Sequence, residues 1–169
     1  MNIETIRFPQ IRFDISELNS EFKYVFGNNY EFHDEILPCF KIQISNLFVV
    51  VLFFSIDGQI SFISVHGFNE SDSDESKFKI YQNLSNYFSS VLRTFLTDFR
   101  NEGLSYFLKW VIGYDKVFFA TCKKCGEIVS NDEGIVMPPI MKTINGNDFY
   151  HMKCFPKNPS ALPFPRLQL

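Results

Sequence analysis

Residues 40–65, FKIQISNLFVVVLFFSIDGQISFISV, decide the fold class. Phe40, Ile42 and Ile44 alternate with polar residues, so three apolar side chains share one face of a strand. Leu47 to Ile56, with Ser55 its one polar residue, is the longest apolar run, rich in β-branched and aromatic residues, and reads as a buried strand. It is about half the roughly 20 residues a membrane-spanning helix needs. Alternation returns from Gln59 to Val65 around Ile60, Phe62, Ile63 and Val65. Between the last two runs, Asp57-Gly58 predicts a two-residue primed hairpin turn with positive φ at both positions. Residues 40–66 therefore read as an antiparallel meander.

Downstream the period changes from two to three and four. Phe78, Tyr81, Leu84, Phe88, Val91, Phe95 and Phe99 predict a helix from about Lys77 to Arg100. The acidic, serine-rich stretch Asn69 to Ser76 precedes it, and Asp74 or Ser76 is placed to cap it. Asn101-Glu102-Gly103 interrupts the pattern, and Leu104, Phe107, Leu108, Val111 and Tyr114 continue it as a second helix within 76–116. These rings read as core, with more aromatic surface than a small sheet covers on one side, which implies an apolar helix surface for a partner.

Upstream, residues 1–39 show only Ile11-Arg12-Phe13-Asp14-Ile15 alternating like a short strand, with no long helical stripe after it. The proline-rich tail, residues 157–169, reads as extended chain. The expected architecture is α+β: a β-meander packed against two helices, with a metal-binding segment at 120–156, in a single domain over 1–169.

Composition narrows the function. Sixteen Lys plus Arg against nineteen Asp plus Glu give a net charge of −3, which disfavours direct nucleic-acid binding. Twenty-one phenylalanines among 169 residues must be covered by a core or by another protein. Met1 to Gln10 lacks the pattern of a secretory signal, so the chain is expected inside the cell. Its cysteines are then expected as thiols rather than disulfides.

Three of those thiols fall in metal-ligand spacing. Cys122-Lys-Lys-Cys125-Gly126 is a zinc knuckle: two thiolates turn back on one ion, and glycine permits the tight backbone. His151-Met-Lys-Cys154 supplies two more ligands at the spacing that one helical turn brings to one face. Together they make a closed Cys3His set for one structural zinc ion per chain, with no position left for water or substrate. Cys39 reads as a small core residue. His66 reads as a polar residue ending a strand.

One enzyme pattern competes. His33-Asp34-Glu35 followed by Cys122 and Cys125 has the order of the zinc deaminase signature, with Glu35 as the acid. Thr121 stands where that signature has proline, the halves are far apart, and His151 and Cys154 would have no role. No phosphate loop, nucleophile elbow or HExxH pair appears.

Several of these features occur in a fixed order. Gly67-Phe68-Asn69-Glu70 ends the strand region, Ser76 to Tyr81 opens a helix, and an aromatic second helix follows. Cys122 to Gly126, Pro138-Pro139 and the aromatic Phe149 to Cys154 complete the series. From about Val50 to Cys154 the chain resembles the C-terminal half of Mediator complex subunit 27. The resemblance implies a non-enzymatic, nuclear scaffold of the Mediator coactivator, regulating RNA polymerase II transcription through contacts with other Mediator subunits at the head–tail junction. No membrane or small-molecule substrate enters that role. The spacing between Cys125 and His151 is longer than the family pattern, and residues 1–40 show no counterpart of the extended N-terminal helical region through which family members join their partners.

Overall fold

The computed structural model describes residues 7–71, 75–132, 134–144 and 146–156. The length of the chain argues for one domain, whereas its backbone contacts divide it into two compact units, Met1–Ile112 and Gly113–Leu169. Among the described residues no helix is long and apolar enough to cross a membrane.

The first unit opens with a helix that the sequence reading lacks, α1 (Ile15–Phe26). Asp14 is its N-cap, accepting the Glu17 amide at 3.1 Å, so the supposed strand 11–15 ends as a helix start. Gly27, at φ 54°, closes the helix by donating its amide to the Lys23 carbonyl. Leu18 and Phe22 are its buried face.

Four strands follow in meander order: β1 (Tyr30–His33), β2 (Cys39–Ile44), β3 (Phe48–Phe54) and β4 (Ile60–Gly67), each antiparallel to the next. The sheet is thus one strand wider than the sequence implies, because β1 lies within 1–39. Phe40, Ile42 and Ile44 of β2 face the core with Phe48, Val50, Leu52 and Phe54 of β3 and with Ile63 and Val65 of β4. The β3–β4 turn is not the primed pair expected. Only Gly58 takes positive φ, at 82°; Gly58 donates to Ser55 at 3.0 Å and Ser55 to Gln59 at 2.8 Å, which makes a three-residue loop ending in a left-handed glycine. A Cβ on Gly58 would collide with the Phe13 carbonyl, and Phe13 donates to Gly58 at 2.8 Å.

α2 (Lys79–Phe99) and α3 (Gly103–Ile112) complete the unit. Neither sequence-predicted capping group is the N-cap: that residue is Phe78, with no side-chain cap, while Asp74 lies outside the described residues. Ser76 instead takes the Phe78 amide at 3.2 Å and donates its hydroxyl to Glu70 at 2.7 Å. α1 and α2 pack on the same sheet face, through Phe22 on Phe40 (5.2 Å) and Phe88 on Phe48 (6.3 Å). The helix rings are mostly spent on one another: Phe88 meets Phe107 and Trp110 edge-on, and Tyr106 lies against Phe99. Of the rings in the two predicted stripes only Phe78 is more than half exposed, so the expected broad aromatic helix surface is absent from them.

The second unit is built around Tyr114, which is fully buried. Its hydroxyl donates to the Ile140 carbonyl at 2.8 Å and accepts the Lys142 amide at 3.2 Å, while its ring meets Phe149 edge-on at 5.3 Å. Two small antiparallel pairs, β5 (Ser130–Asp132) with β6 (Ile135–Met137) and β7 (Met141–Lys142) with β8 (Phe149–Tyr150), lie in sequence between the pair Cys122 and Cys125 and the pair His151 and Cys154.

Candidate metal centre

The knuckle at 122–126 is held by its own backbone. The Gly126 amide donates to the Cys122 carbonyl at 2.8 Å, and the Cys122 amide to Glu127 at 2.9 Å. Gly126 sits at φ 78°, a conformation that favours glycine, which explains the residue following the second cysteine. Lys123 donates to the Phe149 carbonyl at 2.9 Å, tying the knuckle to the chain just before His151.

His151 is extended and precedes a single 3-10 turn, Met152–Cys154, in which Cys154 donates to the His151 carbonyl at 2.9 Å. That turn folds the i and i+3 side chains together. As a result the ligand atoms of Cys122, Cys125, His151 and Cys154 all lie within 4.8 Å of one another, a group that could hold a metal ion. His151 is fully buried and Cys122 almost so, whereas Cys125 is exposed at the rim.

The electrostatics of the group are those of crowded thiols. Burial works to raise the Cys122 thiol, but backbone amides of Cys125, His151 and Lys124 directed at its sulfur hold it down at about 6. Cys154 is pushed up to about 11, first by burial and then by the adjacent sulfurs of Cys122 and Cys125. A divalent cation among the sulfurs would reverse that second effect, because metal coordination deprotonates a thiol. The donor set therefore fits a borderline-soft metal.

His33 and Glu35 take no part in this group. His33 pairs with Glu31 of its own strand at 3.1 Å, Glu35 is exposed, and the four ligand positions are supplied by other residues. Cys39 opens β2 as a buried side chain. His66 departs from the sequence reading: it lies inside β4 and is only 2% exposed, with Nε2 on the Ser64 hydroxyl at 2.8 Å. Nothing in the sequence marked that burial, because Ser64 and His66, two residues apart on a strand, read as a solvated polar face. Lys142, 2% exposed with its ammonium 5.1 Å from the Tyr114 ring centre, carried no sequence signal at all.

Comparison with known proteins matches residues 70–155 to the model of one family, Mediator complex subunit 27. The matched stretch contains α2, α3 and all four clustered ligands. Mediator of RNA polymerase II transcription subunit 27 from Arabidopsis thaliana is 27% identical over 92 residues, which cover 53% of this chain and 21% of that protein. The aligned region thus spans about a fifth of that relative's length. With a family model matched over half of its length, from Glu70 through the turn that carries His151 and Cys154, the chain belongs to the Mediator complex subunit 27 family.

Proposed function

We propose that the chain is a non-enzymatic scaffold subunit of the Mediator coactivator, supporting RNA polymerase II transcription in the nucleus through contacts with other Mediator subunits at the head–tail junction. The observation that carries this reading is the family match over 70–155, which takes in the helix pair and the complete ligand group. In this reading residues 120–156 are organised by one structural zinc ion, held by the sulfurs of Cys122, Cys125 and Cys154 and by Nδ1 of His151. Three thiols and an imidazole suit tetrahedral zinc. Four protein ligands leave no open position, so the ion stabilises the fold and activates no water.

Affinity purification of the tagged chain from nuclear extract in mild salt tests the assignment. Co-purification of Mediator subunits is the expected result. Recovery of a folded, zinc-loaded chain with no Mediator subunit would overturn it.

A further inference from the structure

On the sheet face opposite α1 and α2, a cleft of about 240 Å³ is lined by Glu31, Lys41, Val49, His66, Phe68 and Glu70 among others. Direct pairing of Gln43 with Val49 and of Val49 with His66 sets these side chains in one row across β2, β3 and β4. His66 is 2% exposed; Ser64 satisfies its Nε2 at 2.8 Å, and its Nδ1 is buried with no hydrogen-bond partner. A buried ring nitrogen left unpaired is costly, so a donor that reached it from the cleft by shifting the side chains that close it off would be strongly favoured.

The charge of the cleft says which partner. Glu31 stands directly across from Lys41 in the β1–β2 register and its carboxylate meets His33 Nε2 at 3.1 Å, so its charge has cationic company already. Glu70 remains. Its carboxylate accepts the Gly67 amide at 2.7 Å, the Ser76 hydroxyl at 2.7 Å and the Lys77 amide at 3.0 Å. Burial opposes ionisation, but these three donors hold Glu70 below the usual carboxylate range. Three donors leave one of about four acceptor positions on the carboxylate open. Phe68, 48% exposed, adds an aromatic wall.

We propose that this cleft receives the guanidinium of an arginine presented by a partner protein, with His66 Nδ1 and the Glu70 carboxylate as acceptors and Phe68 as the stacking face. A planar fork of donors can reach two separate acceptors and lie on a ring at once; a lysine ammonium is a compact, strongly hydrated point charge. The arrangement requires His66 to carry its proton on Nε2, donated to Ser64, so that Nδ1 offers its lone pair. It does not depend on the Mediator assignment or on the metal.

The test uses the full, zinc-loaded chain with ring-15N-labelled histidine and two probes, Nα-acetyl-arginine amide and the neutral citrulline analogue. His66 in the free protein is expected as the Nε2–H tautomer. The arginine probe should shift its ring resonances saturably, and the citrulline analogue should bind about tenfold or more weakly by comparison. Glu70→Gln should weaken the arginine response to a similar extent. Because Glu70 also ties down two backbone amides, a second variant, Val49→Phe, fills the cleft from a half-buried position without altering a charge, and should abolish the response in a folded protein. An Nδ1–H tautomer, no saturable shift with the arginine probe, an equal response to citrulline, or an undiminished response in folded Val49→Phe would each overturn the proposal.

Discussion

Cys125 Sγ lies 3.3 Å from His151 Nδ1, while Nε2 of the same ring is buried without a hydrogen-bond partner. The ring therefore turns its δ nitrogen toward the sulfurs although the rest of it is enclosed. Metal-ligating histidines usually donate their second ring N–H to an outer partner that fixes the tautomer. Among the described residues His151 has no such outer partner, and burial together with the short turn to Cys154 sets the orientation of its ring.

Removing one ligand should unravel the second unit selectively. Metal binding and local folding share one free energy, so Cys122→Ser or Cys154→Ser is expected to expose the segment between residues 131 and 147 to protease while the β1–β4 meander stays protected. Limited proteolysis followed by mass spectrometry reads both regions in one experiment. Unchanged resistance in both variants would contradict the coupling.

Tyr114→Phe keeps the ring against Phe149 but removes the hydroxyl that bridges the Ile140 carbonyl and the Lys142 amide. Both backbone groups lose that hydrogen bond in a buried setting, and a loss of about 1–3 kcal/mol is expected. Urea unfolding monitored on the second unit would measure it, with Phe149→Leu as a packing comparison.

Gly103 begins α3 where any Cβ would collide with the Phe95 carbonyl of α2. Gly103→Ala would raise helix propensity in an isolated peptide, yet in this fold it forces the two helices apart. A cost of about 1–3 kcal/mol is expected from such overpacking. A stability equal to or above wild type would show that the helix corner has room to relax.

Burial depresses the Lys142 ammonium to about 8, and Asp115 opposes the shift. Its ordinary value is 10.5, so the unfolded chain holds the extra proton between those two pH values. A depressed folded-state value contributes stability that is present above 10.5 and is lost as pH falls through about 8. The stability of the zinc-loaded second unit should therefore rise with pH across that window more steeply in wild type than in Lys142→Met. Parallel pH profiles for the two proteins would refute the assignment of this slope to Lys142.

What the sequence made legible follows from the range of the forces involved. β2, β3 and β4 announce themselves because alternation and β-branched runs reflect burial of a whole strand. β1, Tyr-Glu-Phe-His, is too short and mixed to show a period; its inward Tyr30 and Phe32 gain meaning only when paired with Ile42 and Phe40. α1 did carry local signals: Asp14 with Glu17 three residues on, Leu18, Phe22 and Phe26 at fourfold spacing, and Gly27 as a stop. A strand reading of 11–15 conceals them by assigning Asp14 to the wrong element. The clustering of Cys122, Cys125, His151 and Cys154 was readable because each half carries a recognisable spacing, Cys-x-x-Cys and His-x-x-Cys. The burial of His66 and Lys142 was not, since nothing local distinguishes a polar residue enclosed by neighbours from one at the surface.

The central claim is that Cys122, Cys125, His151 and Cys154 are all consumed by one structural ion. X-ray absorption at the zinc edge of the purified chain tests it most directly. The account predicts one zinc per chain with three sulfurs at about 2.3 Å, one nitrogen at about 2.1 Å and no oxygen. A coordinated water, or zinc well below one per chain in fully folded protein, would contradict it.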